Sequence, residues 1–149
     1  MLRFMMKETD DFEALVPFFI ENGLEYSEGE KASDDLLKCW KLVHGDESDE
    51  HLVGAVTLSK REGEYIIDAV AVSKLFRKFK MGKILMEKAI KEVLERGGKR
   101  IYIVAKVPEF FKKLGFEIIK REESPDFSEC FHCDQFGNGC NPEVMKLEL

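Results

Sequence analysis

Val72-Ser-Lys-Leu-Phe-Arg77-Lys78-Phe79-Lys80-Met81-Gly82-Lys83 is the stretch on which the fold turns. It follows the apolar run Tyr65-Ile-Ile-Asp68-Ala-Val70-Ala-Val72, which has the length and β-branched content of a strand. It leads into Ile84-Leu-Met-Glu-Lys-Ala-Ile-Lys-Glu-Val-Leu94, whose apolar residues recur at helical spacing. A strand, a cationic turn and a helix start make an arrangement suited to an anion. The first N–H groups of a helix have no intrahelical partners, and the positive end of its dipole points at the turn. Five of the ten residues from Lys74 to Lys83 are Lys or Arg, in a chain of net charge -6. Positive side chains at a helix start are unfavourable unless something negative binds there. The plain alternative is a solvated basic helix start. A concentrated positive turn in an acidic chain suggests a small polyphosphate ligand, not nucleic acid, which usually needs a broad basic face.

At the N-terminal end, Leu2 to Lys7 reads as a first strand, and Thr9 as the N-cap of a helix carrying Phe12, Leu15, Val16, Phe19 and Ile20 on one face. Gly23 closes that helix. A short second helix is expected around Ser33 to Leu37. Strands follow at Cys39 to His44, Leu52 to Ser59 and Tyr65 to Val72, separated by the turns Gly45–Glu50 and Arg61–Glu64. The next helix runs from about Gly82 to Arg96 and stops at Gly97-Gly98. Arg100 to Ala105 is a strand, Pro108 opens a short helix over Glu109 to Leu114, and strands are expected at Glu117 to Arg121 and Val144 to Leu149. This order predicts an α/β (α+β) fold. Its central sheet is mixed and mostly antiparallel, with one βαβ crossover and flanking helices. At 149 residues, 1–149 is most simply one domain, with 123–142 as a Cys-rich C-terminal loop.

The segment Arg77-Lys-Phe-Lys80-Met-Gly82 resembles the pyrophosphate loop of GCN5-related N-acetyltransferases, Arg/Gln-x-x-Gly-x-Gly/Ala, placed five residues after a strand that ends in Val. Arg77 and Gly82 are in register, whereas Lys78 and Lys80 stand where glycines are common. Val107-Pro-Glu-Phe110-Phe111-Lys-Lys-Leu-Gly115-Phe116 is similar to the family's Phe-Tyr-x-x-x-Gly-Phe segment. The resemblance covers roughly residues 40–122. It implies acetyl-CoA bound by Arg77, Lys78, Phe79, Lys80, Met81, Gly82 and Lys83, with the main chain at Val70 and Val72 along the pantetheine arm and Phe111 beside it. The implied reaction is direct transfer of acetyl to a primary amine. Pro-Glu-Phe-Phe-Lys-Lys-Leu-Gly-Phe together with the cysteine tail also looks like small relatives of N-acetylglutamate synthase, which would make an amino acid the acceptor.

Asp68 interrupts an otherwise apolar strand. It is either a solvated residue on the open face or a general base for the acceptor ammonium. Phe111 stands where the family often carries a Tyr that protonates the departing thiolate, and Phe has no proton to give. Cys130, His132 and Tyr102 are the substitutes on offer. Cys130-Phe-His132-Cys133 with Cys140 has a metal-ligand spacing, and Zn is the first candidate at Cys130, Cys133 and Cys140. The alternative there is three reduced thiols or a reversible disulfide. No run of eighteen apolar residues exists, and the N-terminus is too soon acidic for a signal peptide, so a cytoplasmic location without membrane attachment is expected. A homodimer is left open. The rival functions are a non-catalytic acyl-CoA-binding sensor and a metal- or redox-sensing protein built on the cysteine tail.

Overall fold

The computed structural model describes residues 3–24, 26–46, 49–123 and 143–149. Among these residues seven strands form one sheet. They are β1 (Phe4–Thr9), β2 (Leu36–Asp46), β3 (Asp49–Arg61), β4 (Glu64–Val72), β5 (Arg100–Ala105), β6 (Glu117–Ile118) and β7 (Glu143–Glu148). The helices are α1 (Phe12–Glu21), α2 (Met81–Glu95) and α3 (Pro108–Lys112). The strand order is β1-β2-β3-β4-β5-β7-β6. Only β4 and β5 run parallel among the described strands, because α2 carries the chain back between them. The expected mixed, mostly antiparallel sheet is therefore present.

Each face of the sheet has its own core. On α2, Met81, Leu85, Ala89 and Val93 recur every four residues and all are buried, with Met86 beside them. They pack with Phe111 and Phe116 against Trp40, Leu42, Val56, Leu58 and Ile67. On the opposite face, Phe12, Leu15, Val16, Phe18 and Phe19 of α1 cover Cys39, Ala55, Ala69 and Ala71. The strands thus bury both sides, which is why β4 reads as an almost continuous apolar run. Trp40, 1% exposed, is a core residue.

Several boundaries differ from the sequence expectation, each for a local reason. Asp11, not Thr9, caps α1, its Oδ1 accepting from Ala14 N at 3.2 Å. Thr9 instead ends β1, and its hydroxyl accepts from Asp11 N. No helix forms at 33–37. Ser33 to Leu36 make a turn, and the Asp35 carbonyl accepts from Lys60 N at 3.0 Å, so the chain joins β3's ladder instead of curling. Pairing between β2 and β3 also extends beyond the apolar residues to Asp46↔Asp49, which brings His44 and His51 face to face across the hairpin. The strand expected over Glu117 to Arg121 shortens to Glu117–Ile118, and a 3₁₀ turn at Arg121–Glu123 comes next.

Two irregularities in β4 open the sheet on one side. Thr57 pairs with Ala69 and Leu58 with Ile67, so Asp68 is the extra residue of a β-bulge. Pairing of β4 with β5 stops at Ile67↔Ile103. Beyond the bulge the two strands part, and the main chain from Asp68 to Val72 borders the gap.

Candidate active site

On the turn side of the gap, Lys74–Phe79 forms a 3₁₀ turn, and Lys80 adopts a left-handed backbone with φ 58° and ψ 33°. That is the conformation glycine favours, so Lys80 keeps the loop's shape without the glycine. Helix α2 begins at once with Met81. It has no acidic residue in its first turn and no side-chain cap, so its first N–H groups are left for a ligand. Arg77 Nε donates to the Val72 carbonyl at 3.2 Å, which pins the turn to the end of β4. Lys78 and Phe79 lie in the 3₁₀ turn by their backbone. Lys83 faces solvent, 3.8 Å from Glu87.

Two residues of this turn have packing roles. The Met81 side chain is 5% exposed and belongs to the core, so it offers a ligand only its backbone. Gly82 has no positive φ. A Cβ there would come within 2.9 Å of Phe110 Cζ, so the glycine makes room for α3. Val70 and Val72 are half-buried against the α2 core.

On the α1 side of the gap stands Asp68. The residue as a whole is exposed where the strands part, yet its side chain is only 24% exposed. Ser59, fully buried, donates its hydroxyl to Asp68 Oδ2. Arg61 Nη2 lies 3.4 Å from Asp68 Oδ1, and Arg61 Nε donates to Asp35 Oδ2 at 2.9 Å. Burial, the largest influence, pushes the Asp68 carboxyl above its ordinary value, against the pull of Ser59 and Arg61. The Cys39 thiol is pushed up to about 12, first by burial and then by the Asp68 charge, so it stays a neutral thiol. Thr57 Oγ1 is buried without a hydrogen-bond partner among the described residues, on the strand position that faces Ala69.

Strand β4 thus carries an open edge, with an uncapped cationic helix start following its end and a largely buried carboxylate at its bulge on the α1 face. The model of the acetyltransferase (GNAT) family matches residues 9–116, most of the chain. The chain belongs to the GNAT acetyltransferase family. None of the curated proteins matches it. A GNAT acetyltransferase from Staphylococcus aureus shares the fold with a TM-score of 0.72 at 18% identity, covering 100% of this chain and 99% of that one. An acetyltransferase from Bacillus subtilis, solved with CoA, gives 0.58 at 22% identity, again over 100% and 99%. The N-acetylglutamate synthase of Neisseria gonorrhoeae, solved with coenzyme A and N-acetyl-glutamate, gives 0.68 at 19% identity over 100% of this chain. This chain spans only 35% of that synthase.

Membership of the GNAT acetyltransferase family indicates an acyl-CoA cosubstrate, and the uncapped start of α2 beside the open edge of β4 is compatible with acetyl-CoA. When bound, that cosubstrate supplies the thioester whose acetyl group is transferred. Arg77, Lys80 and the N–H groups opening α2 would meet its phosphates, and the unpaired edge of β4 its arm. Phe111 is 6% exposed, its ring edge-on to Phe110 at 4.9 Å and to Phe116 at 5.8 Å. Tyr102 is buried with Ile66 and Val144 on the other face of the sheet, so it does not supply the hydroxyl that Phe111 lacks. Cys130, Cys133 and Cys140, with His132, lie outside the described residues. Among the described residues no group of three His, Cys, Asp or Glu side chains is placed to hold a metal.

Ser59, Arg61 and Asp35 are not legible in the sequence as site residues. Arg61 reads as part of a turn and Ser59 as the end of a strand. The register of β3 against β4 brings Ser59 and Arg61 to Asp68, and the turn before β2 brings Asp35 to Arg61.

Proposed function

We propose that this GNAT acetyltransferase moves the acetyl group of acetyl-CoA to the primary amine of a small molecule, with Asp68 as general base. The observation that carries this is the Asp68 carboxylate, mostly buried at the bulge where β4 and β5 part, with its affinity for protons raised by that burial. An amine must lose a proton to attack a thioester. A carboxylate whose affinity for protons is raised takes that proton better than an ordinary one. Backbone N–H groups along the opened edge of β4 would polarise the carbonyl under attack. The likeness to N-acetylglutamate synthase supports amino acids as the first acceptors to try. The chain has no helix among its described residues long and apolar enough to cross a membrane, which is compatible with the cytoplasmic location we propose.

The test is CoA release from acetyl-CoA with a panel of amino acids, diamines and aminoglycosides. Turnover with one class and not the others supports the reading and names the acceptor. A second reading, a non-catalytic acyl-CoA sensor, is favoured by the missing hydroxyl at Phe111. Tight acetyl-CoA binding with no turnover on any amine would establish the sensor and overturn the enzyme.

A further inference from the structure

Arg61 sits at the end of β3 with a side chain 22% exposed, between two carboxylates from distant parts of the chain. Its Nε meets Asp35 at 2.9 Å and its Nη2 meets Asp68 at 3.4 Å. Asp35 belongs to the turn that delivers the chain into β2. Its backbone N donates to Ser33 Oγ at 3.2 Å, and its carbonyl takes Lys60 N. Earlier in the same segment, Tyr26 packs on Phe12 and Phe19 of α1, so the segment 26–35 begins against α1 and ends at Asp35 beside Arg61. The α1 face of the sheet is the one that carries Asp68, opposite to α2.

We propose that Arg61 is a positioning residue for acetyl transfer: one planar guanidinium holds the Asp68 carboxylate on the bulge and ties it to Asp35, thereby fixing the acceptor-side segment 26–35 relative to the base. The proposal rests on Asp68 being that base. A guanidinium suits the task because its donors lie in a fixed fork and can address two carboxylates at once. Lysine, a point charge on a flexible stem, holds one of them without setting the angle to the other. An Asp left to rotate on a bulge, with only Ser59 beneath it, would present its oxygens to the amine in more than one direction. Misplacement of that kind lowers the rate without lowering acetyl-CoA affinity.

The groups facing Asp68 are Ser59 and Arg61 from β3, Asp35 from the turn before β2, and Cys39 from β2; the α1 side chains buried on that face of the sheet, Phe12, Leu15, Val16, Phe18 and Phe19, are apolar. Cys39 is a neutral thiol, so the charges that act on Asp68 are Arg61 and Asp35, and they act in opposite directions. Arg61 lowers the proton affinity of Asp68 and Asp35 raises it. The base works only when ionised, so the acid limb of the pH–rate profile tracks that affinity. Removing Arg61 moves the limb to higher pH. Removing the Asp35 charge moves it to lower pH.

The experiment measures kcat and kcat/KM against pH for the parent, Arg61→Gln, Arg61→Lys and Asp35→Asn, together with acetyl-CoA affinity and melting temperature. Arg61→Gln is expected to lower kcat roughly tenfold to a hundredfold and to shift the acid limb up, with acetyl-CoA affinity unchanged. Arg61→Lys should return the limb toward the parent while leaving most of the kcat loss, separating charge from alignment. Asp35→Asn should shift the limb down, which keeps the proposal testable if the Arg61 variants fold poorly. Acid limbs that stay in place in Arg61→Gln and Asp35→Asn, with only the melting temperatures moving, overturn the positioning role. An Asp68→Asn control with undiminished rate overturns the general-base reading itself, so the two failures are distinguishable.

Discussion

The two sides of the gap at the end of β4 are built in different ways. The turn side is one continuous stretch, Val72 to Lys83, and works through backbone: a left-handed residue, a helix start and a strand edge. The α1 side is assembled from Asp35, Ser59, Arg61 and Asp68, side chains that the sheet register brings together. A ligand shared by a whole family can be met by backbone groups that any sequence supplies once the loop has its shape. A ligand peculiar to one member must be met by side chains, and those tolerate replacement one at a time. The turn side should therefore govern acetyl-CoA affinity, and the α1 side rate and acceptor choice.

The largest effect that checks this division is at Asp68. Asp68→Asn should lower the rate with the best acceptor by ~10²-fold or more, about 2.7 kcal/mol in the barrier, while acetyl-CoA affinity stays within error. Steady-state kinetics beside calorimetric titration measure both. A variant that loses acetyl-CoA affinity as well would join the two sides into one site.

Next is the ligand itself. If acetyl-CoA binds only the folded chain, a concentration 100 times its Kd should stabilise the fold by about 2.7 kcal/mol, and Asp68→Asn should show the same stabilisation as the parent. For a chain of this size that is a melting shift of roughly 5–10 °C. No shift at saturating acetyl-CoA would remove the assignment of the turn.

Gly82 belongs to the turn side, yet the reason for its being glycine lies in the packing under the turn. Gly82→Val drives a Cβ toward the Phe110 ring, and overpacking of this kind costs about 1–3 kcal/mol. Phe110→Ala in the same chain should recover much of that loss in thermal unfolding. If the double variant stays as unstable as Gly82→Val alone, the crowding lies elsewhere than Phe110.

The same division separates what was legible in the sequence from what was not. The turn side could be read because its residues are contiguous and its signals local: an apolar strand, a cationic turn, a periodic helix. Even there the local detail was not legible. Gly82 is required by α3, and the positive φ falls at Lys80, since the backbone conformation belongs to the loop and not to the residue type. On the α1 side Asp68 was legible as a charge in an apolar strand, but its partners were not, because a bulge in pairing leaves no mark on composition. The helix expected at 33–37 failed for a related reason. Its backbone groups are taken by β3, and long-range pairing overrides a weak local preference.

The smallest effect is the one that sets stability against binding within a single residue. Lys80 holds a left-handed backbone at the head of α2, a conformation that strains a residue with a Cβ by about 1–2 kcal/mol. Glycine would remove the strain but enlarge the unfolded ensemble, an opposing effect of about 0.4–1 kcal/mol. Lys80→Gly should therefore raise the melting point of the ligand-free chain slightly, by about 1 kcal/mol or less in stability. The same change removes a positive charge from the turn, so acetyl-CoA should bind more weakly and its melting shift should shrink. Lys80→Ala separates the two contributions, because it keeps the strain and loses the charge. It should show the weaker binding without the gain in stability. Were Lys80→Gly to bind acetyl-CoA as tightly as the parent, the lysine would be there for neither shape nor charge, and the turn would act through its backbone alone.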